Sequence, residues 1–454
     1  MGNDEEKVFP ADPRLSKDGF QDQKKETSTE ERSNSPEVRM LESSIDPAKG
    51  IGSDEQPESV VIHHSPELHG FRRIVLNFTP SWFIITMSTG VVSILTHQLP
   101  YNGRWLGIIS LIFFALNVAL FLTFTLISCI RYTIYPQLIP RVLRHPHQSL
   151  FLATFPIGLV TIIIMIVLVC VPAWGRGMAT FAWVLWWIAS VLSLTTCTHL
   201  TWVIMTNRRN ELSEMTALYF IPIVAVVAAA AAGGLVAREI PDVHHQLWTL
   251  IISYILWGVG TPLSWVILTL YFLRMTIHEP VKREVIVSLL LPIGPLGLSG
   301  FSIISFGKLA MRLFPAVHAV PHAADAGRIF YLIGVLAGLI LWGFAITWFL
   351  VAIIMIATSG GFSFNMGWWG FIFPVGVFTL LTITLGEEME SRFFKILSCV
   401  FTGMLVVAWL IIAAGTLRNS LTGKMFFSPC LGTDLFQKEN KQITIGRGKR
   451  KETV

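Results

Sequence analysis

Charged side chains are scarce in this sequence. Lys, Arg, Asp and Glu make up 14% of the 454 residues, and hydrophobic residues make up 53%. A soluble globular protein of ordinary composition carries about 25% charged residues. This deficit, together with the uncharged apolar runs that recur from about residue 71 to residue 417, excludes an ordinary soluble protein. We therefore predict an all-α polytopic membrane protein.

The sequence is also poor in cysteine and lacks common catalytic motifs. Its five cysteines are not paired at metal-like spacing, so we expect neither a disulfide nor a metal site. The motifs HExxH and GxSxG do not occur, and no pair of carboxylates is positioned for catalysis at a predicted membrane surface. We therefore expect that the protein is not an enzyme, and we expect no cofactor and no nucleic-acid partner.

Ten apolar segments are each long enough to cross a bilayer, which takes about 20 residues. The uncharged stretch Ile329–Gly386 is too long for one crossing, and the polar, glycine-rich segment 358–367 divides it into two. The predicted spans are 76–97, 105–130, 150–172, 178–205, 216–237, 247–273, 285–307, 328–356, 366–386 and 395–417.

Charge is concentrated at the two ends of the chain. Residues 1–70 hold 16 acidic and 8 basic side chains and predict a disordered acidic cytoplasmic tail. Residues 418–454 hold 8 basic and 3 acidic side chains and predict a basic cytoplasmic tail, so that the transmembrane transport domain covers 71–417. An even number of spans and an excess of Lys and Arg in the inner segments favour two cytoplasmic ends. The absence of a recognisable signal peptide agrees with this topology, and we expect the plasma membrane as the location.

Prolines recur near the start of every odd-numbered span. They are Pro80 in FTPSW, Pro156 in TFPIG, Pro222 in FIPIV, Pro292 and Pro295 in LPIGPLG, and Pro374 in IFPVG. Among the even-numbered spans only the sixth contains a proline, Pro262. This pattern predicts five tandem helical hairpins, each with one proline-kinked and one straight helix. Because irregular backbone is tolerated where it is buried in protein or lines a water-filled path, we expect the odd helices to surround a central pore.

The predicted pore lacks acidic groups. No carboxylate lies at the middle of a predicted span, although a path for cations or protons usually contains one. Broken helices and hydroxyl groups suit an anion instead, and Lys308 and Arg312 lie at the outer end of the seventh span as pore-mouth basic residues. The residues predicted to line the substrate path are Thr86, Ser88, Thr89, Thr154, Pro156, Pro222, Pro292, Gly294, Pro295, Gly297, Ser299 and Pro374.

Two alternatives to this reading of polar residues stay open. Each hydroxyl taken singly can instead be a structural contact between helices. His199, the one titratable side chain near the middle of a span, is either a proton-handling group or a packing residue of an even helix.

Leu298, within LPIGPLGLSG, stands where a polar contact to an anion would be expected.

The odd spans share motifs with a known family. The segments that carry the resemblance are NFTPSWFIITMSTGVVSIL, HPHQSLFLATFPIGLVTI, FIPIVAVVAAAAAGG, LPIGPLGLSGF and FNMGWWGFIFPVGVFTL. Together they resemble the tellurite-resistance/dicarboxylate transporter family, and within it the branch of fungal sulfite efflux pumps. The resemblance implies ten helices, a homotrimer in which each protomer has its own pore, and a phenylalanine plug on the ninth helix, which corresponds to Phe373.

The resemblance implies a plasma-membrane protein that exports sulfite or bisulfite. Malate or another C4-dicarboxylate is the alternative substrate within the family, and a gated anion channel is the alternative mechanism. A dicarboxylate should need fixed cations inside the pore, and no Lys or Arg lies at mid-span, which favours a smaller anion. Two residues depart from the family pattern, Ser88 in MSTG and Leu298 after PLG. Proton antiport, uniport and channel conduction all remain compatible with the sequence.

Overall fold

The structure, a computed structural model, describes residues 71–206, 212–278, 283–320, 323–360, 364–422 and 425. Almost all of the two predicted tails lies outside these residues. Every regular element within the described part is helical. In chain order these are α1 (Phe71–Asn77), α2 (Phe83–Gln98), α3 (Arg104–Ile134), α4 (Leu138–Arg144), α5 (Thr154–Met165), α6 (Val171–Trp174), α7 (Arg176–Thr206), α8 (Phe220–Glu239), α9 (Val243–Ile277), α10 (Ile293–Val317), α11 (Ala326–Thr358), α12 (Ile372–Glu388) and α13 (Arg392–Leu421).

The number of membrane spans agrees with the sequence-based prediction. In the described part, nine helices are long and apolar enough to cross a membrane, and a tenth span is formed by the bent pair Phe71–Asn77 and Pro80–Gln98. The predicted division of the long uncharged stretch is also confirmed, because α11 ends at Thr358 and a 3₁₀ turn begins the next span at Met366. The last helix continues to Leu421, beyond the predicted boundary at 417.

Five helices form an inner ring. Helices α2, α5, α8, α10 and α12 each contact the next in this order, and α12 closes the ring by contacting α2. In the spans that contain α5, α8, α10 and α12, between 83% and 94% of the 18 most apolar consecutive residues are buried. Helix α2 is buried from Phe83 to Thr96. In the five outer helices α3, α7, α9, α11 and α13 this share is 22% to 39%. The predicted arrangement of odd and even spans is therefore confirmed.

The prolines mark the point where each ring helix begins. A 3₁₀ segment precedes every ring helix, and Pro80 is the first residue of the segment before α2. Pro156, Pro222, Pro295 and Pro374 are each the third residue of their α-helix, and Pro292 is the N-cap of α10. The first four N–H groups of a helix have no intrahelical partner, so a proline there removes no hydrogen bond. These prolines therefore lie in the first turns of the ring helices, while a separate irregularity, the π-helical segment Ile166–Cys170, interrupts the span between α5 and α6.

Glycine allows α10 to approach its neighbours closely. A Cβ atom added to Gly297 would lie 2.7 Å from the backbone nitrogen of Phe378 on α12, and one added to Gly307 would lie 2.7 Å from the Cα atom of Tyr331 on α11. A Cβ atom added to Gly300 would lie 2.6 Å from the Cδ2 atom of Leu381 on α12. Membrane helices associate mainly through such close packing of small residues, because lipid provides no hydrophobic driving force between them. The glycines of LPIGPLGLSG therefore fix the position of α10 beside α12.

The first span begins with a sharp turn. Helix α1 and the segment Pro80–Gln98 differ in direction by 90°. Arg131 of α3 is fully buried behind this turn, and its Nε atom donates a hydrogen bond to the carbonyl of Leu76 at 3.2 Å. A cation at the C-terminal end of a helix satisfies a free carbonyl and interacts favourably with the helix dipole. This contact holds α1 against the start of the ring.

Candidate anion pathway

A polar cavity lies at the C-terminal ends of four ring helices. Its volume is about 420 Å³, and it is open on one side. We call this cavity the vestibule. The residues that line it are Gln98 of α2; Gly234, Leu235 and Arg238 of α8; Phe301, Ser305, Lys308, Leu309 and Arg312 of α10; and Thr384 and Glu387 of α12.

The vestibule carries an excess of positive charge. Arg238, Lys308 and Arg312 line it, and Glu387 is the one carboxylate among its described lining residues. Lys308, which is 47% exposed, also forms an ion pair with Glu388, whose own side chain is only 6% exposed. Among the lining residues three cations face one carboxylate, although Arg238 also pairs with Glu239, at 3.5 Å. Cavities lined mainly by one sign of charge raise the local concentration of the opposite ion. The structure thus places both predicted pore-mouth cations on this wall.

One face of α10 leads from the vestibule towards the other end of the ring. Phe301, Ser305, Lys308 and Arg312 follow one another at intervals of four, three and four residues, which places them on one side of a helix. Continuing the same spacing towards the helix start gives Leu298. Leu298 is 3% exposed and therefore lies buried on the face that opens into the vestibule.

A second face, on α12, contains the predicted plug. Thr384 and Glu387 line the vestibule, and the same spacing towards the helix start gives Leu380, Val377 and Phe373. Phe373 is 3% exposed, and no ring–ring contact in the described part of the chain includes it. This face is aliphatic and aromatic below Thr384, so an anion that leaves the vestibule along α12 meets no fixed charge.

Three ring helices meet near their first turns. A Cβ atom added to Gly294 of α10 would lie 3.6 Å from Pro374 of α12 and 3.6 Å from Val224 of α8. These are ordinary van der Waals distances, so the ring is closed here by apolar contacts. The structure therefore brings together Gly294 and Pro374, two of the residues predicted to line the path.

Three of the predicted hydroxyl residues donate hydrogen bonds to backbone carbonyls. Within the ring, Ser88 donates to the carbonyl of Trp369 at 2.9 Å, and Thr154 donates to the carbonyl of Pro80 at 3.1 Å. Thr86 donates to the carbonyl of Phe83 on its own helix at 2.7 Å. Membrane helices commonly use hydroxyl groups in this way. For these three residues the contacts favour the alternative of a structural role.

Two further hydroxyls form hydrogen bonds with side chains of the outer helices. Thr89 accepts a hydrogen bond from the indole of Trp409 on α13 at 3.1 Å. The hydroxyls of Ser299 and Thr261, a residue of α9, lie 2.8 Å apart. Because both side chains turn towards the outer wall, Thr89 and Ser299 are not on the face that continues from the vestibule. Both hydroxyls thus have partners on the outer helices, and their place in the path stays a prediction.

The remaining predicted path residues lie at helix starts or helix contacts. Pro156, Pro222, Pro292 and Pro295 belong to the first turns or N-caps of ring helices, where they set the direction of the backbone. Gly297 faces the backbone of Phe378 and so serves the contact between α10 and α12. The structure brings these residues into the wall of the ring, while the vestibule lies at the opposite ends of the same helices.

The sequence analysis did not identify several residues of the vestibule. Arg238, Phe301 and Glu387 were not among the predicted site residues, and neither was Gln98. Phe301 could have been found, because it precedes Lys308 by seven residues on the predicted seventh span. Arg238 and Glu387 end two helices that were already predicted to belong to the ring, and such helix ends must lie near each other.

Other reactive side chains lie away from the ring interior. His199 is half-buried on the outer helix α7, and its Nε2 atom lies 3.3 Å from the carbonyl oxygen of Leu143. The described cysteines Cys129, Cys170, Cys197 and Cys399 are all free thiols. Within the described residues, no group of His, Cys, Asp or Glu is arranged to hold a metal ion. His199 is therefore placed as a side chain of the outer wall.

These features define a multi-pass helical membrane protein in which five inner helices form a ring beneath a basic vestibule. The family model described as voltage-dependent anion channel matches residues 77–417, which include all ten spans except the first residues of the first and the last residues of the tenth. The chain belongs to this family. The predicted resemblance to the tellurite-resistance/dicarboxylate transporters is thereby confirmed.

Individual members of the family differ in how similar they are to this chain. The chain is 43% identical over 352 residues to the sulfite efflux pump of Arthroderma benhamiae, covering 78% of this chain and 93% of that protein. It is 42% identical over 352 residues to the sulfite efflux pump of Arthroderma otae, with the same coverage. It is also similar to the malic acid transport protein of Schizosaccharomyces pombe, at 25% identity over 364 residues, 77% of this chain and 80% of that protein. The branch of fungal sulfite efflux pumps, to which the odd-span motifs pointed, is confirmed as the more similar of these two kinds of relative.

Proposed function

We propose that this protein exports sulfite or bisulfite across the plasma membrane and so confers tolerance to sulfite. The observation that carries the proposal is a ring wall without fixed charge beneath a basic vestibule. No Lys, Arg, Asp or Glu occurs in 220–237, 293–307 or 372–386, which are the ring segments of α8, α10 and α12. The similarity to sulfite efflux pumps at 43% identity supports this choice of substrate.

The geometry accounts for how a small anion could pass. At the vestibule, Arg238, Lys308 and Arg312 attract the anion electrostatically. Between the vestibule and the helix starts, the faces of α10 and α12 that continue from the vestibule are apolar, and a hydrophobic constriction closes a path by sterics and dewetting. Phe373 is the largest side chain on the α12 face, so we assign it as the gate. A transporter of this kind holds its substrate by charge at the ends of the path and performs no chemistry on it.

The orientation and assembly of the protein are part of the same proposal. The excess of Lys and Arg in the inner segments supports cytoplasmic ends, which places the vestibule on the outer side of the membrane. Many large apolar side chains on the outer helices are exposed, for example Ile340 at 65% and Leu122 at 62%, as expected for a surface in contact with lipid or another protomer. A homotrimer with one pore per protomer is the assembly that the family resemblance implies.

A dicarboxylate remains the second candidate substrate. The similarity to the malic acid transport protein of Schizosaccharomyces pombe is the observation that favours it. Malate carries two carboxylates and is bulkier than sulfite, so it should need a fixed cation along the path as well as at the mouth. The segments of α8, α10 and α12 contain no such cation, which favours sulfite over malate.

Sulfite tolerance tests the proposal directly. The full chain is expressed in a fungal host made sensitive to sulfite by loss of its own exporter, and growth is followed across a range of sulfite concentrations. We expect growth at concentrations that stop the host with an empty vector, together with release of preloaded sulfite. Uptake and release of malate are measured in the same strains. Unchanged sulfite sensitivity in cells that contain the protein at the plasma membrane would contradict the proposal, and transport of malate alone would favour the second candidate.

A further inference from the structure

Several buried polar atoms have no hydrogen-bond partner among the described residues at the end of the ring opposite the vestibule. They belong to Arg274, Tyr271, Thr216 and Ser288. We propose that Arg274 and Tyr271, with these two hydroxyls, form a second oxyanion site, which receives the transported anion on the side where the ring helices begin. For the identity of its ligand, this inference rests on the proposed export of sulfite.

Arg274 lies in the last turn of the outer helix α9. One of its donors, Nη2, is 3.5 Å from the carbonyl oxygen of Ser213. Its Nε and Nη1 atoms are buried and have no hydrogen-bond partner among the described residues. Leaving charged donors buried and unpaired is costly, and proteins usually satisfy them with a carboxylate, water or a ligand. The guanidinium group thus has two donors directed into a buried region.

Tyr271 lies one helical turn before Arg274 and on the same side of α9. Its side chain is fully buried, and its hydroxyl has no partner in the described part of the chain. The ring of Tyr271 contacts the rings of Phe220 at 6.1 Å and Trp348 at 6.3 Å between centroids. These contacts hold the tyrosine at the start of α8.

The two hydroxyl residues are connected to the same group of contacts. Thr216 stands between Ser213, which accepts from Arg274, and Phe220, whose ring contacts Tyr271. Ser288 precedes Leu289, whose carbonyl accepts a hydrogen bond from the indole of Trp348 at 3.0 Å. The four groups therefore belong to α9 and to the segments that lead into α8 and α10, which these contacts connect.

The electrostatics of this place favour an anion. Two 3₁₀ segments, Ala217–Tyr219 and Arg283–Leu290, lead here into the N-terminal ends of α8 and α10, which carry partial positive charge. A guanidinium group beside two such helix ends adds to the positive potential. Glu214 is the carboxylate described in this region, but its residue is exposed, and no ion pair between it and Arg274 occurs in the described part. The arrangement offers hydrogen-bond donors and positive charge, which an oxyanion such as sulfite would satisfy.

The site would give the pathway a charged group at each end. Lys308 and Arg312 serve the vestibule, and Arg274 serves the opposite end, with the charge-free faces of α10 and α12 between them. An anion arriving from the cytoplasm would lose part of its hydration shell to these donors before it meets the apolar constriction. Arg274 is therefore assigned to substrate entry from the side on which the ring helices begin.

The test measures how strongly sulfite is bound from that side. The full chain is purified and reconstituted in sealed vesicles of known orientation, and efflux of radiolabelled sulfite is measured against its concentration on the cytoplasmic side. For Arg274→Gln we expect the half-saturating concentration to rise about tenfold with little change in maximal rate, because a charge-assisted hydrogen bond is lost. Tyr271→Phe should raise the half-saturating concentration less, and Arg274→Lys should leave it close to the wild-type value. Arg144→Gln, which removes an exposed arginine from α4, is the matched control and should behave as wild type.

The possible outcomes separate this site from the proposed function. If wild type moves sulfite and a monodisperse Arg274→Gln protein has an unchanged half-saturating concentration, the site is refuted. If wild type does not move sulfite, the proposed function fails, and the site is then judged by the thermal unfolding temperature in sulfite, malate and chloride. A rise in that temperature in wild type and Arg144→Gln, but not in Arg274→Gln, supports the site. Equal shifts in all three proteins, or no shift with any anion, would overturn it.

Discussion

At the scale of single residues, two phenylalanines on α12 illustrate how position on a helix decides role. Phe373 lies on the face that continues from the vestibule, and no described aromatic ring contacts it. Phe378, five residues later, is fully buried among Trp342, Phe349 and Phe401 of the outer helices. Both are buried phenylalanines of one helix, and only the first lies on the face that we propose as the wall of the path.

The first prediction concerns the gate. Replacing Phe373 with Ala should increase sulfite flux several-fold per protein molecule, because it removes the largest side chain of the apolar constriction. Flux is measured in reconstituted vesicles and normalised to the amount of folded protein. Phe378→Ala is the matched control. It should destabilise the protein by about 3 kcal/mol through the cavity that it leaves, without raising flux. Equal flux in wild type and Phe373→Ala would remove Phe373 from the pathway.

The second prediction concerns the charge of the vestibule. Lys308→Gln should lower the rate of sulfite capture from the vestibule side at low ionic strength, because one of three lining cations is lost. The difference from wild type should shrink as salt is raised, since exposed charges are screened over about 10 Å at 0.1 M. Arg104→Gln, at the exposed start of α3 on the same side, is the control and should have a much smaller effect. A salt-independent difference would indicate a structural role for Lys308 instead.

At the scale of helices, close packing between α10 and α12 is set by glycine. The third prediction is that Gly297→Ala destabilises the protein by about 1 to 3 kcal/mol, because the added Cβ would lie 2.7 Å from backbone of α12. Gly294→Ala is the matched control on the same helix. Its Cβ would meet its nearest neighbours at 3.6 Å, so stability should be almost unchanged. Thermal unfolding of both purified variants measures this difference, and equal unfolding temperatures would contradict the packing described for Gly297.

The sequence predicted the helices better than it predicted their orientations. The odd positions of Pro80, Pro156, Pro222 and Pro374 were sufficient to predict which spans form the ring, because proline in a membrane helix requires protein around it. The rotation of each helix about its axis could not be predicted, because it depends on side-chain contacts between segments far apart in the chain. Thr89, which accepts from Trp409, shows this limit, since the two residues are separated by 320 positions.

Leu298 is a second instructive case. From the sequence alone it stood where an anion should meet a polar group. In the structure its helical position puts it on the same face of α10 as the vestibule residues, and the face of α12 that carries Val377 and Leu380 is equally apolar. A leucine there is consistent with a constriction that works by excluding water rather than by binding the anion. The departure from the expected polar residue therefore fits the mechanism that we propose.

At the scale of the whole molecule, the ring divides the path into regions with different chemistry. The vestibule supplies basic side chains at the C-terminal ends of the ring helices, and the ring interior supplies an uncharged apolar wall. The outer helices isolate this wall from lipid and hold it through contacts such as that between Trp257 and Ser299, where the indole donates to the carbonyl at 3.0 Å. On the function that we propose, the basic vestibule attracts the anion and the apolar wall forms the constriction.

The most direct test of this account is sulfite flux through the purified protein. The full chain is reconstituted into liposomes, and entry of radiolabelled sulfite and of radiolabelled malate is compared with protein-free liposomes, for wild type and for Phe373→Ala. The account predicts that wild type passes sulfite well above the background and malate far less, and that Phe373→Ala raises sulfite flux further. Malate flux equal to or above sulfite flux, or no sulfite flux through either protein, would contradict it.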